Sequence, residues 1–277
     1  MVRVGLVGCG TIGSRLALAL QRDYPAAARI TALHDVDRAR AVALRRRLAH
    51  EPPIVSLHVL IQRSQLVIEA ASAGVSGQVV RRALRANRSV FVMSVGGLLR
   101  DQTWRRLASR SRGKVYIPSG ALAGLDGVKA FAVGRIRRLS LTTRKPPRAL
   151  SSAPYVLRKQ LRLERLRRPA VIFEGSPRMV VEAFPQNTNV AAALVLSASR
   201  SGSERSEGRP RPPVRIRVVA DPTIRVNIHE LEVEGDCGRL RCQVESRPSV
   251  NPKTSEIAVR SAVATLGRVF DSVLIGT

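Results

Sequence analysis

The first stretch whose residues could carry a chemical function is a glycine-rich turn inside VRVGLVGCGTIGSRLALALQRD (2–23). A short apolar strand leads into three glycines spaced as GxGxxG, and apolar residues at helical spacing follow. In this context the glycines allow a tight turn, close approach of a pyrophosphate and close packing of helix on strand. Backbone N–H groups at the helix start would attract phosphates. The candidate phosphate-binding residues are Gly8, Gly10, Thr11, Ile12 and Gly13.

A carboxylate follows at the spacing that a dinucleotide requires. The next apolar stretch, RITALHD (29–35), ends in Asp35, which lies 22 residues after Gly13. An acid at this position accepts hydrogen bonds from an adenosine ribose. Asp35 would repel a 2′-phosphate, but Arg38 and Arg40 follow closely and could offset the repulsion. The pattern therefore predicts a nicotinamide dinucleotide and favours NAD without excluding NADP.

The third candidate is His229, in the alternating stretch VNIHELEVEG (226–235). An imidazole with an ordinary pKa of about 6.5 can take up or relay a proton near neutral pH. A histidine in a strand can equally be a half-buried packing residue. This stretch alone leaves both interpretations open.

Composition limits the class of protein. An apolar fraction of 44% in 277 residues predicts a globular chain with a substantial core, long enough for two modest domains. We expect no transmembrane helix and no signal peptide, and hence a cytoplasmic protein. The three cysteines, Cys9, Cys237 and Cys242, are odd in number and lack zinc-site spacing, so we expect reduced thiols and no metal.

The net charge of +27 is the unusual feature. Five of the 47 basic residues are lysines, which leaves 42 arginines. Nucleic-acid-binding proteins usually concentrate their charge and offer aromatic rings for stacking, whereas here arginine is spread from Arg3 to Arg268 and aromatics make up 3%. We therefore predict no specific nucleic-acid partner, and only weak attraction to polyanions.

The two halves of the chain differ in periodicity. The first half alternates strands with helices, which predicts an α/β fold with a parallel sheet and ligands at the carboxyl ends of its strands. Ser72, Ser94 and the turn at 119–124 fall at such ends, as ordinary turn residues or as cofactor contacts. The predicted strands here are 66–72, 89–97 and 114–120, and the predicted helices are 77–87 and 101–111.

The second half has longer runs with a period of two, typical of a mixed or antiparallel sheet with one face open or paired to a partner. The predicted strands are 135–145, 170–175, 214–221, 225–235 and 239–246. Helices are predicted at 123–134, within 176–199 on both sides of a turn at Pro185, and at 251–274. The segment 200–213 is predicted to be a surface loop.

Eight blocks give the chain a resemblance to the L-aspartate dehydrogenase family over essentially its whole length. They are GCGTIG (8–13), VMSVGGL (92–98), IPSGALAGLDGVKA (117–130), TRKPP (143–147), VIFEGS (171–176), FPQNTNVAAAL (184–194), ADPTIRVNIHELEVEGD (220–236) and NPKTSEIAV (251–259). The resemblance implies a doubly wound Rossmann domain (1–118), rejoined by the C-terminal helix (252–277). It implies a second, α+β domain (119–251) with an open mixed sheet for catalysis and homodimerisation.

The resemblance also implies roles for particular residues. The family oxidises L-aspartate with NAD or NADP to iminoaspartate, which gives oxaloacetate and ammonia or feeds quinolinate and NAD biosynthesis. His229 matches the catalytic histidine, and Ala121 and Asn189 match positions that bind the cofactor. Asn187 is a candidate substrate contact, with a helix cap as the equal alternative. Candidates for the substrate carboxylates are Arg144, Lys145 and Lys253.

Two other functions stay open at this point. One is a related dehydrogenase or reductase acting on another small dicarboxylate. The other is a nicotinamide-binding protein without turnover, whose basic surface binds nucleic acid. Retention of His229, Asn189 and Ala121 together favours the enzyme. The segment 200–213 is longer than the family pattern, between Asn189 and His229.

Overall fold

The structure is a computed structural model that describes residues 1–185, 188–199, 213–247 and 255–276. The chain divides into two units, of which unit 1 comprises Met1–Pro118 with Val259–Leu274 and unit 2 comprises Ser119–Ala258 with Ile275–Thr277. Unit 1 is α/β and unit 2 is α+β, so the predicted fold class is confirmed. None of the described helices is long and apolar enough to cross a membrane.

Unit 1 is built on a parallel sheet. Its strands are Val2–Val7 (β1), Ala28–His34 (β2), Leu66–Glu69 (β3), Ser89–Val92 (β4) and Val115–Tyr116 (β5). Its helices before unit 2 are Thr11–Asp23 (α1), Arg38–Arg45 (α2), Leu57–Arg63 (α3), Ser76–Arg85 (α4) and Thr103–Arg110 (α5). Apolar residues fill both faces of the inner strands, as a sheet covered by helices requires.

The strand order of this sheet fixes where a ligand can bind. The order is β2-β1-β3-β4-β5, and a single parallel bridge between Leu33 and Ile54 extends it beyond β2. With that bridge counted as a vestigial strand, the order is that of a doubly wound Rossmann sheet. The order reverses between β1 and β3, and the turn after β1 is the predicted glycine-rich segment.

Three predicted strands of unit 1 are shorter than expected, and the one predicted at 66–72 ends at Glu69. The strand predicted at 89–97 ends at Val92, and Val95–Leu99 forms a 3-10 turn instead. Gly97 lies so close to other backbone that a Cβ there would stand 2.3 Å from the carbonyl oxygen of Ala73. The strand predicted at 114–120 comprises only Val115–Tyr116, with Pro118, which has no N–H for a sheet, soon after it.

Unit 2 holds the mixed sheet. Its strands are Ile136–Lys145 (β6), Ala170–Gly175 (β7), Val214–Ala220 (β8), Asn227–Gly235 (β9) and Gly238–Ser246 (β10). Its helices are Leu125–Val133 (α6), Pro154–Arg158 (α7), Pro177–Ala183 (α8) and Thr188–Ser197 (α9). The last helix, Glu256–Phe270 (α10), begins in unit 2 and continues in unit 1, where Ala262 and Leu266 are buried in the core.

The sheet order is β10-β9-β6-β8-β7, with β6 and β8 parallel and the other neighbours antiparallel. Its inner face packs against the helices of unit 2 through Leu141, Val218 and Leu231. The rings of Tyr155, Phe173 and Phe184 form a mutual cluster with centroids 5.3–5.5 Å apart. Burying such a side chain stabilises the fold by about 1.5–3 kcal/mol.

The outer face of the same sheet carries charged pairs. Arg241 donates to Glu232 at 3.1 Å, and Arg239 donates to Glu234 at 3.1 Å. Towards the other edge, Arg217 donates to Glu174 at 2.9 Å. Much of the positive charge on this surface is therefore matched by carboxylates of neighbouring strands.

Candidate functional site

The glycine-rich turn of unit 1 has the geometry that its sequence predicts. Gly8 has φ +93°, in the region that favours glycine, and its N–H donates to the His34 carbonyl at 2.8 Å. A Cβ on Gly13 would lie 1.9 Å from the carbonyl oxygen of Gly8. Helix α1 and strand β1 can approach this closely only because position 13 has no side chain.

Gly10 differs from these two glycines because the space beside it is open. Among the described residues, a Cβ there would meet within 4 Å only Nη1 of Arg40, at 3.9 Å. Gly10 is also the N-cap of α1, the first turn of α1 contains no acidic residue, and Thr11 is exposed. Helix N–H groups with open space before them form an anion site, so this turn fits the pyrophosphate of a dinucleotide.

Asp35 stands beside this turn, at the end of β2. Its carboxylate accepts the N–H of Cys9 at 2.6 Å and the N–H of Asp37 at 2.8 Å. A carboxylate has about four acceptor positions, so ribose hydroxyls can still bind to it. Nε of Arg40 lies 3.0 Å from the Asp37 carboxylate, which places a cation close to the same edge of the sheet.

The side chain of Cys9 points away from solvent and is 3% exposed. Burial, with a further contribution from the charge of Asp35, raises the pKa of the Cys9 thiol to about 12. Cys237 is exposed, Cys242 is half-buried, and all three thiols are unpaired.

A second buried carboxylate, Glu69, joins the ends of β3 and β4. It accepts the N–H of Ala71 at 2.9 Å and the N–H of Ser94 at 3.0 Å. Burial raises the pKa of Glu69, although the backbone hydrogen bonds from Ser94 and Ala71 act in the opposite direction. Glu69 thus fixes the two strand ends at which ligands bind in folds of this type.

In unit 2, His229 lies on β9, on the inner face of the sheet. It is 4% exposed, and its register neighbours are Thr143 on β6 and Val244 on β10. The Thr143 hydroxyl and Nδ1 of His229 are 3.2 Å apart and form a hydrogen bond. The ring is therefore held in one orientation by a neighbouring strand.

The surroundings of His229 favour the neutral imidazole. Burial, and secondly the positive charge of Lys145, lower the pKa of His229 to about 3. Burial likewise lowers the pKa of Lys145 to about 8. At neutral pH the inner face therefore presents an uncharged imidazole close to an ammonium group.

The adjacent residues Arg144 and Lys145 lie on opposite faces of the sheet, because side chains alternate along a strand. Arg144 contacts Asp221 at 3.3 Å and Glu230 at 3.4 Å. Hydrogen bonds from Thr223 and Arg144 lower the pKa of Asp221 in spite of the opposing effect of burial. Arg144 thus forms structural ion pairs on one face, whereas Lys145 lies on the other face, together with His229.

Comparison with known proteins finds a family model that matches each of the two units. Residues 126–269 match the family model for the C-terminal domain of aspartate dehydrogenase, and residues 8–118 match that for the NAD-binding domain of homoserine dehydrogenase. The L-aspartate dehydrogenases of Methanosarcina barkeri and Methanocella arvoryzae are each 39% identical to the chain, with 100% of both sequences covered.

The chain belongs to the L-aspartate dehydrogenase family.

The resemblance drawn from the eight sequence blocks is thereby confirmed. A solved structure, the aspartate dehydrogenase of Thermotoga maritima, has the same fold, with a TM-score of 0.70 and 21% identity over 100% of both chains. The NAD-binding domain and the family assign NAD or NADP as the cofactor of this chain.

The other residues to which the resemblance assigns functional roles differ in their surroundings within unit 2. Ala121 is buried in the turn before α6, and Asn189 is exposed in the first turn of α9. Asn187 and Lys253 lie outside the described residues. Among the described residues, no group of three His, Cys, Asp or Glu is arranged to hold a metal ion.

The sequence analysis missed two residues that these settings reveal. Thr143 was noted only as part of a family block, because its bond to His229 joins positions 86 residues apart. Glu69 lies in the apolar stretch LVIEAAS (66–72), where a single carboxylate in a buried-type strand was the available signal.

The two glycines of unit 1 give a matched test of the cofactor turn. Gly10→Ala should leave the fold intact, because its φ is −71° and the space is open. It should weaken NAD binding roughly tenfold or more, since overpacking costs about 1–3 kcal/mol. Gly13→Ala should instead lower the unfolding temperature, because the new Cβ meets the backbone. Calorimetric NAD titration and thermal unfolding separate the two effects, and normal NAD affinity in Gly10→Ala would contradict the assignment.

Proposed function

We propose that this chain oxidises L-aspartate to iminoaspartate with NAD or NADP. Iminoaspartate then hydrolyses to oxaloacetate and ammonia or supplies quinolinate for pyridine nucleotide biosynthesis. The observation that carries the proposal is the buried, neutral His229, held by Thr143 within a chain of the L-aspartate dehydrogenase family.

The reaction makes a defined demand on the protein. The substrate amine arrives as an ammonium group and must lose a proton before the Cα–N bond can become an imine. When bound, the oxidised nicotinamide accepts the hydride that leaves Cα. The protein must therefore hold the substrate and take up the proton, which is general-base work.

His229 suits that work in one tautomer. In this tautomer Nδ1 carries the ring proton and donates a hydrogen bond to the Thr143 hydroxyl. Nε2 then has a lone pair that can accept a proton from the substrate. Burial excludes water from the ring and keeps it uncharged before the substrate binds. Thr143 is a positioning residue in this scheme, because it acts through the imidazole.

We assign the cofactor to the turn formed by Gly8, Gly10, Thr11, Ile12 and Gly13. Asp35 would bind the adenosine ribose, and Ala121 and Asn189 would contact the nicotinamide end. We propose NAD as the preferred cofactor because a carboxylate stands where a 2′-phosphate would lie. Arg40 offers partial compensation, so NADP should bind more weakly rather than not at all.

We further propose that the protein forms a homodimer through the outer face of the unit 2 sheet. Exposed and half-buried arginines and glutamates alternate across its strands, and such a surface can pair with a second copy around a two-fold axis. The same pairing leaves little unmatched charge for a specific nucleic-acid partner there. Unpaired cysteines are consistent with a reducing, cytoplasmic location.

The activity test compares two histidines. His229→Ala should reduce aspartate-dependent reduction of NAD by about 10²- to 10⁴-fold, because general-base catalysis contributes that much. His58→Ala, a change at an exposed histidine of unit 1, should have no effect. Thr143→Val should give a smaller loss, since the imidazole remains but is no longer oriented. Near-normal turnover by folded, NAD-binding His229→Ala would make His229 a packing residue and refute the mechanism.

The cofactor test concerns Asp35 and Arg40. Asp35→Ser should weaken NAD binding more than NADP binding, because it removes a ribose contact and a repulsive charge together. Both affinities should fall somewhat, since the Cys9 N–H also loses its acceptor. Arg40→Ala should weaken NADP selectively. The measurement is the ratio of the two dissociation constants, and an unchanged ratio in Asp35→Ser would mean that this residue does not discriminate between the cofactors.

Sedimentation velocity tests the dimer. We expect a species of twice the 30.1 kDa chain mass. Ser140→Trp, on the central strand of the outer face, should shift it towards monomer, whereas Lys114→Trp in unit 1 should not. A dimer unaffected by Ser140→Trp would place the interface elsewhere.

A further inference from the structure

Next to His229, a row of polar side chains crosses the inner face of the unit 2 sheet. Asn227 on β9 pairs with Ser246 on β10. The register that pairs Arg144 with Ile228 brings Lys145 alongside Asn227 at the next position of β6. We call Lys145, Asn227 and Ser246 the polar row. Its residues on β9 and β6 lie on the same face as His229 and Thr143, two residues away along each strand.

Ser246 gives the clearest indication that the polar row binds something. Its side chain is 5% exposed, and its hydroxyl has no hydrogen-bond partner among the described residues. A buried hydroxyl left without a partner destabilises the fold, and buried polar groups are seldom left in that state. An acceptor supplied by a ligand would satisfy this hydroxyl.

The positive charge of Lys145 indicates which class of ligand the polar row would bind. It is half-buried on the inner face, and its charge acts on the imidazole of His229. Its neighbour Arg144 lies on the outer face and binds Asp221 and Glu230 instead. Of this basic pair, Lys145 alone shares a face with the candidate base. A cation beside a hydroxyl and an amide, all with N–H or O–H donors, suits a carboxylate.

We propose that Lys145, Asn227 and Ser246 form the subsite for a carboxylate of the substrate. This inference rests on the proposed function, whose substrate carries two carboxylates and an amine. Successive same-face positions of a strand are roughly 7 Å apart. That spacing suits an amino acid of four carbons whose amine contacts the imidazole at one row and whose carboxylate contacts the next.

Binding of a carboxylate at the subsite would also change the pKa of His229. A carboxylate bound to Lys145 cancels the positive charge that helps to lower the pKa of His229. The imidazole would then become more basic when substrate is present, at the moment when it must accept a proton. Substrate binding and proton transfer would be coupled through one electrostatic contact.

The test measures binding as well as turnover, in the full chain loaded with NAD. Lys145→Met should raise the KM for L-aspartate on the order of 10- to 100-fold, because a hydrogen bond to a charged group is lost. Ser246→Ala, a smaller change that should not disturb folding, should raise KM several-fold. Lys159→Met, at an exposed lysine of the same unit, is the matched control. Calorimetric titration with succinate, a dicarboxylate without an amine, should show the same order of affinities.

The outcomes are separable. If the wild-type protein oxidises aspartate but Lys145→Met and Ser246→Ala keep its KM and its succinate affinity, the subsite is wrong and the proposed function stands. If the wild type binds succinate through Lys145 but does not oxidise aspartate, the subsite stands and the proposed function fails. With L-asparagine, which lacks the distal charge, an undiminished effect of Lys145→Met identifies the α-carboxylate as the bound group. A lost effect identifies the distal one.

Discussion

The pairing register of β6 with β9 is the constraint on which the proposed catalytic end of unit 2 depends. It sets Thr143 opposite His229 and places both on the face that packs against the helices. Side chains alternate across a sheet, so a slip of one residue would bury Glu230 and expose the imidazole. The register is held from the other end of the strands, where Leu139 pairs with Val233 and Leu141 with Leu231 inside the core. Apolar packing thus determines where a polar site forms.

This dependence explains how far the sequence could predict the site. The alternation in VNIHELEVEG correctly indicates a strand and sets His229 in phase with Leu231 and Val233, but the strand by itself does not say which side chain contacts the imidazole. Only the partner strand decides, and its contact residue lies 86 positions earlier. The glycine-rich turn is different, because its strand, glycines and helix are consecutive, and its geometry could be predicted from local spacing.

The same distinction separates the elements predicted well from those predicted badly. Long alternating strands such as β6 and β9 begin and end within two residues of their predicted limits. The strand predicted at 89–97 is too long because the close approach of Gly97 to Ala73 is a tertiary contact. The roles of Glu69 and Ser246 likewise depend on tertiary contacts and could not be predicted from the sequence. A carboxylate that joins two strand ends, and a hydroxyl left without a partner, are properties of packed elements rather than of spacing.

The buried thiol of Cys9 has a consequence for the durability of the cofactor turn. Cysteines react with oxidants and alkylating agents as thiolates, and a pKa of about 12 leaves almost none of Cys9 in that form at the pH of a cell. Many reactive cysteines owe their low pKa to a nearby positive charge or to the start of a helix. Here Asp35 stands close by and has the opposite effect. Burial of the thiol, with a smaller contribution from the acid that is expected to bind the ribose, thereby keeps Cys9 in its unreactive protonated form within the phosphate-binding turn.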